Sequence, residues 1–327
     1  MKTLTAPIRW GIIGCGDVTE VKSGPAFYKT KHSQLAAVMR RDTAKAHDYA
    51  KRHGVATVHT CAEALIHDPN IDAIYIATPP ASHLQYALEV AVAGKPCCVE
   101  KPMALNNKQC ETMVEAFNEA QLPLFVAYYR RTLPRFLKVK QWLDEQAIGD
   151  VRHISWNFRK PPSDTDKAKQ ANWRTQPDKA GGGYFVDLAS HGLDLFDFLL
   201  GPIHKVNGFA ANQQQLYQAE DAVTAAWQFK SGVTGSGYWN FGARTRLDEV
   251  EIIGSAGEIR FAIFEDKPVT LINEQGGTAE TLAHPEHIQT YHVEAMNEHL
   301  LGTSTHPSLG ESAARANWVM DKILSGK

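Results

Sequence analysis

A chain of 327 residues is long enough for two domains of ordinary size. With 43% hydrophobic and 21% charged residues, and 34 basic against 36 acidic side chains for a formal charge of −2, it reads as a soluble globular protein without the basic footprint of a nucleic-acid binder. No run approaches the ~20 apolar residues of a membrane span. Residues 1–7 lack the apolar core of a secretion signal, and five cysteines, an odd number, argue against a disulfide framework, so a cytoplasmic location is expected.

Residues 8–126 alternate short apolar runs with helical patterns. Ile8 to Ile13 is a strand that ends in glycines, and Leu35 to Met39 is a second. Asp42 can cap the helix that follows, which stops at Gly54. Residues 61–67 begin a short helix, 71–77 form a buried strand, 81–93 a helix stopped by Gly94, 96–100 a strand, 107–120 a helix and 124–126 a last strand. Strands apolar on both faces and separated by helices require a parallel sheet. Cys97 and Cys98 fall inside one such strand and read as small core residues, neither a redox pair nor a metal site.

The pattern changes after Tyr128, which divides the chain into domains 1–127 and 128–327. A helix over 133–146 leads into a long alternating strand, 151–158, and a polar stretch, 160–180, reads as a loop with little regular structure. A glycine-led helix over 184–199 ends at Gly201-Pro202. Alternating strands follow near 203–212, 222–230, 233–241 and 247–254, with shorter ones near 258–264 and 269–272. This is an α+β domain with a mostly antiparallel open sheet, one face of which is free to meet a second subunit. The final helix, 307–325, is expected to return to the first domain. The fold class is therefore α/β followed by α+β.

Gly14-Cys15-Gly16 lies after a strand and before a helix opened by Asp17 and Val18, the setting in which glycines let a pyrophosphate approach a helix N-terminus. Thr19 stands where the third glycine of the fingerprint falls. At the end of the second strand, where NAD sites place a carboxylate on the ribose, the chain has Arg40-Arg41 instead. A guanidinium fork pairs with a 2′-phosphate, which favours NADP over NAD. Thr78 and Pro79 follow the third strand at the carboxyl edge of the sheet, where cofactor is held. His83 beside them is either a cofactor contact or a satisfied structural histidine.

Glu100-Lys101-Pro102 follows the next strand at the same edge. Lys101 can stabilise alkoxide character on a reacting oxygen, and Glu100 is suited to anchoring a ribose or orienting the lysine. Gly181-Gly182-Gly183 then leads into Asp187 and His191, four residues apart on one helix face, with Asp194 three further on. Histidine is the natural proton carrier near neutral pH, and a carboxylate can orient it. Asp and His at this spacing can also ligate zinc, but no HExxH pattern or nearby cysteine completes such a site, so no metal is expected.

The combination of Ala77-Thr78-Pro79-Pro80, Glu100-Lys101-Pro102 and Gly181-Gly182-Gly183 with Asp187 and His191 resembles the Gfo/Idh/MocA oxidoreductase family over roughly residues 8–325. The resemblance implies a Rossmann domain followed by an α/β domain whose open sheet mediates homodimers or homotetramers. It implies NAD(P)-dependent hydride transfer on sugars, cyclitols or related diols, with no nucleic-acid or membrane partner. Carried over residue by residue, it gives catalytic roles to Lys101, Asp187 and His191 and substrate-pocket roles to Tyr128, Arg130, Arg131, Trp173 and Arg174. A cofactor- and sugar-binding sensor without turnover is the alternative, and its hallmark would be loss of the lysine or the histidine, both of which are present.

Overall fold

The computed structural model describes residues 3–326. They form two compact units. The first comprises residues 3–104, 108–132 and 285–314, and the second residues 105–107, 133–284 and 315–326.

The first unit is built on a six-stranded parallel sheet of β1 (Ile8–Ile13), β2 (Ser33–Met39), β3 (Thr57–His59), β4 (Ala73–Ile76), β5 (Cys97–Val99) and β6 (Leu124–Val126). Their order is β3-β2-β1-β4-β5-β6. Such parallel pairing needs crossovers, and helices Thr43–His53, His83–Val92 and Asn107–Glu119 lie between the strands. Asp42 caps the first of these, its carboxylate accepting from Lys45 N at 3.2 Å, and Gly54 ends it at φ +68°. Cys97 and Cys98 are fully buried, and all five cysteines are free thiols.

A long helix of this unit is absent from the sequence reading. Helix Thr290–Leu300 sends Val293, Met296 and Leu300 into the same core as Trp10 and Phe27. Its apolar spacing is helical, but His292, Asn297 and His299 interrupt the stripe and hide it. Two of these polar residues are themselves buried: Asn297 accepts from the Trp10 indole at 3.0 Å. The segment of the chain's end that belongs to the first unit is thus 285–314, with only the opening turn of the last helix, Gly310–Ser325. From Arg315 onward that helix belongs to the second unit.

The second unit carries an eight-stranded sheet of β7 (Val151–Arg159), β8 (Ile203–Ala211), β9 (Ala222–Phe229), β10 (Thr234–Asn240), β11 (Leu247–Gly254), β12 (Gly257–Phe261), β13 (Val269–Asn273) and β14 (Gly276–Glu280). The order is β14-β13-β12-β11-β7-β10-β9-β8, antiparallel except where β10 runs beside β7. Helix Gly183–Leu200 crosses one face, and Gly192 makes this possible: a Cβ there would stand 2.2 Å from the Trp156 ring. Trp156 is wholly buried, and its indole N–H donates to Asp248 at 3.0 Å.

The sequence reading lacks β3 and β14. Neither has an apolar alternation long enough to show, since β14 is Gly-Gly-Thr-Ala-Glu. Residues 160–180, expected to be irregular, instead hold three single-turn helices, Asp164–Lys167, Trp173–Thr175 and Pro177–Ala180. The first is fixed by a reciprocal cap between Ser163 and Asp166. Runs this short leave no period to detect.

Candidate active site

In the first unit the glycine turn after β1 is held by its backbone. Gly14 N and Cys15 N both donate to the Met39 carbonyl, at 2.8 and 3.4 Å. Gly14 has φ +93°, and a Cβ on it would sit 2.7 Å from Thr78, so the turn after β1 and the turn after β4 are packed in direct contact. Gly16 starts helix Asp17–Val21 with no side-chain cap, so no side chain competes with an anion for the N–H groups of its first residues. This is the fit a pyrophosphate requires. Thr19 is fully buried, and both its N–H and its hydroxyl bond the Gly16 carbonyl, while its own carbonyl accepts from Tyr49 at 3.0 Å. It closes the turn from within, as the missing third glycine would by close packing.

Arg40 lies back along the same turn and donates to the Cys15 carbonyl at 3.1 Å, whereas Arg41 is exposed. The end of β2 therefore presents a guanidinium beside the glycine turn, with the following carboxylate, Asp42, occupied as a helix cap.

The turns after β4 and β5 are tied together by His83. Its ring is fully buried, with Nε2 at 2.7 Å from the Thr78 carbonyl and Nδ1 at 3.2 Å from those of Pro102 and Met103. Burial pushes its pKa down while the three carbonyls, all acceptors, act the other way, and the ring serves as a strut between the two turns. Ser82 donates to the Thr78 hydroxyl at 2.8 Å and positions that wall; Thr78 and Pro79 remain partly open to solvent.

Glu100 is 7% exposed. Its carboxylate accepts from the Tyr75 hydroxyl, from Gln289 Nε2 at 2.8 Å and from Lys101 N at 3.2 Å. It thereby holds the turn that carries Lys101, a half-buried residue followed by a cis peptide to Pro102. Tyr75 and Gln289 are site supports that sequence reasoning missed. Tyr75 lies in an apolar strand, and no pattern near Gln289 marks it.

Also in the first unit, Tyr128, Arg130 and Arg131 are almost wholly buried. Arg131 donates to the Pro307 carbonyl at 2.9 Å, and Arg130 lies 4.9 Å from the Tyr129 ring.

In the second unit the three consecutive glycines all have positive φ, and a Cβ on Gly183 would meet Ala219 at 2.4 Å. Side chains larger than hydrogen are excluded where the helix begins. Asp187, one turn in, forms an ion pair with Arg174 at 3.7 Å, and Arg174 lies over the ring of Trp173 at 4.5 Å. His191 is 5% exposed, with the Phe264 ring edge-on at 5.7 Å. Asp194 is fully buried. Among the described residues no group of three or more His, Cys, Asp or Glu side chains is placed to hold a metal ion, and no helix is long and apolar enough to cross a membrane.

The first unit has a parallel sheet with a glycine-led helix start after β1, and the second a carboxylate and an imidazole one turn apart on helix Gly183–Leu200, features that suit a dinucleotide-dependent oxidoreductase. Residues 8–128 match the oxidoreductase family with an NAD-binding Rossmann fold, and residues 136–260 match the GFO/IDH/MocA C-terminal domain. The chain belongs to the Gfo/Idh/MocA oxidoreductase family. It is 43% identical to oxidoreductase P35 of Formosa agariphila over 96% of this chain and 97% of that one. It is 28% identical to trans-1,2-dihydrobenzene-1,2-diol dehydrogenase of Sus scrofa over 70% of this chain and 67% of that one. Among solved structures, levoglucosan dehydrogenase in complex with NADH and levoglucosan superposes with a TM-score of 0.86 at 22% identity, covering 98% of this chain and 96% of the other.

Proposed function

We propose that the protein is a dehydrogenase or reductase that interconverts a secondary alcohol and a ketone on a small polyhydroxylated substrate, with NADP preferred over NAD. The single observation that carries the reading is the pairing of an uncapped, glycine-led helix after β1 with a lysine at the end of β5 whose backbone N–H is bound by Glu100. The relatives named above act, by name, on a dihydrodiol and on levoglucosan, both bearing vicinal hydroxyls, which supports this substrate class.

The backbone around Gly14, Gly16, Asp17 and Val18 would hold the pyrophosphate, with Arg40 and Arg41 toward the adenosine ribose and Thr78, Pro79 and Glu100 toward the nicotinamide end. When bound, the nicotinamide supplies or accepts the hydride. In the oxidative direction His191 takes the hydroxyl proton at a ring nitrogen, and Lys101 Nζ stabilises the negative charge that develops on the oxygen. Asp187 orients the substrate and the imidazole. Trp173 and Arg174 offer an apolar face and hydrogen-bond donors to a polyol. Arg40 carries the NADP preference, because its guanidinium already lies at the turn where a 2′-phosphate would add charge. The uncovered sheet face, where Phe209 is 79% exposed and Ile253 and Ile272 flank Glu258 across the ladder, is proposed to meet a second copy, a prediction light scattering checks.

The test is a titration with NADPH and NADH followed by a sugar, cyclitol and dihydrodiol panel with the tighter cofactor. Tighter NADPH binding and turnover of a polyhydroxylated substrate are expected. Tight cofactor binding with no turnover across the panel would instead identify a sensor.

A further inference from the structure

The reading above leaves Lys160 unused. It follows β7 directly, its backbone N–H bonded to the Asn240 carbonyl at 2.9 Å. Its ammonium lies 4.0 Å from the centre of the Tyr184 ring and 5.8 Å from that of Phe241. Among the described residues it meets ring faces alone, with no carboxylate or carbonyl paired to it. Yet it is half-buried, and burial lowers its pKa. An ammonium removed from water without an acceptor loses stability that ring faces restore only in part.

The surroundings hold that lysine in place. The Tyr184 hydroxyl donates to the buried Asp166 carboxylate at 2.9 Å and accepts from Asn172 at 2.9 Å, which locks the ring beneath the ammonium. Asp166 is already saturated by Ser163 N, Ser163 Oγ and Tyr184. The charges that act on Lys160 are those of Asp166, Asp187, Arg246 and Arg174. Arg174 is matched by Asp187 and Arg246 by Glu265, at 3.7 and 3.1 Å. One positive charge therefore remains without a partner, in the same unit as Asp187 and close enough to feel it.

We propose that Lys160, with Arg174, receives a carboxylate on the substrate, so that the preferred substrates are sugar acids such as uronates. This deepens the function proposed above and rests on it. A single unmatched cation suits a single negative charge, and the Arg174 guanidinium can add donors once its long contact to Asp187 loosens. The Tyr184 ring supports the apolar stem of the lysine and fixes its reach.

The experiment compares kcat/KM for glucuronate and galacturonate with that for glucose and galactose, in the unaltered protein and in Lys160→Met. Expected is at least a tenfold preference for the acids, reduced at least fivefold in Lys160→Met, mostly through KM. The thermal midpoint of the variant should be equal or higher, since a purely structural lysine would lower it on removal. Equilibrium dialysis of glucuronate against the unaltered protein with NADPH, at low and high salt, needs no variant to fold. It should show binding that weakens with salt. Turnover of neutral sugars with no preference for the acids overturns this proposal and leaves the enzyme reading intact. Salt-sensitive glucuronate binding without turnover of any sugar overturns the enzyme reading and leaves the carboxylate site standing.

Discussion

The two units present their functional residues in opposite ways. In the first, the turns after β1, β4 and β5 are shaped by backbone bonds and by buried polar side chains with their partners in place: His83 on three carbonyls, Glu100 on three donors, Thr19 on Gly16. In the second, Asp187, Arg174 and Lys160 are charged and partly solvated, joined by one long ion pair and ring faces. A cofactor common to many reactions suits a preformed cradle, whereas a particular substrate is read by side chains that can change without unfolding the scaffold. Substitutions in the cradle should cost stability and cofactor affinity together. Substitutions among the charged group of the second unit should cost substrate affinity alone.

Lys101 tests where that division breaks. It belongs to the first unit but is a charged side chain proposed to act on the reacting oxygen. Lys101→Met is expected to lower kcat by about 10²-fold or more, with NADPH affinity and thermal midpoint nearly unchanged. Turnover close to that of the unaltered protein would remove the lysine from the mechanism. A large fall in the midpoint would instead make it part of the cradle.

Gly14→Ala sharpens the comparison from the other side. At φ +93°, with Thr78 2.7 Å from the new Cβ, the alanine strains the turn and pushes the two walls apart. A loss of about 1–3 kcal/mol is expected, read as a lower urea midpoint together with weaker cofactor binding. Loss of cofactor affinity at unchanged stability would contradict the idea that one packing contact serves both.

The cradle was also the more legible half in the sequence. Glycines, a strand-end proline and an N-cap aspartate signal themselves because backbone conformation admits few alternatives at Gly14, Asp42 and Pro102. What holds them was hidden. Gln289 reaches Glu100 from 189 positions away, and nothing local to it predicts that contact. The return of 285–314 to the first unit was obscured because a helix with a buried histidine and a buried asparagine does not look apolar. In the second unit Asp187 and His191 were visible by their spacing, while Lys160 fell in a polar stretch that read as a loop. Its significance lies in what it fails to pair with, and a sequence does not record that.

The buried histidines give the first unit a pH dependence. Ser308 N–H can only donate, so His306 Nδ1 accepts it at 3.0 Å; His306 Nε2 then donates to His292 Nδ1 at 3.1 Å, and His292 Nε2 faces Cys98 Sγ at 3.8 Å. Both rings are therefore neutral in the fold, and burial holds His292 down to about 3 and His306 well below its ordinary value. Between those values and about 6.5 the unfolded chain binds protons that the folded one refuses, so stability is full above about pH 6.5 and falls as pH falls. A loss of about 1 kcal/mol per histidine per pH unit is expected below that point, measured as urea midpoints at pH 7.5 and 5.5. His292→Gln should flatten the slope, and an equally steep slope in that variant would assign it to other groups.

Arg174→Ala carries the smallest effect and the most direct reading of the second unit. Its contact with Asp187 is 3.7 Å and the Arg174 side chain is 44% exposed, so water screens the pair. Less than about 1 kcal/mol of stability should be lost, because exposed pairs rarely contribute more. Substrate affinity is different, since the guanidinium's donors on Trp173 are directed by stacking and not by the weak pair. KM should therefore rise several-fold for a polyhydroxylated substrate while kcat changes less and the unfolding midpoint stays in place. A midpoint drop comparable to that of Gly14→Ala would mean that Arg174 braces the 160–180 segment, and the distinction between a rigid cradle and an adaptable recognition surface would then fail at the position where it is easiest to see.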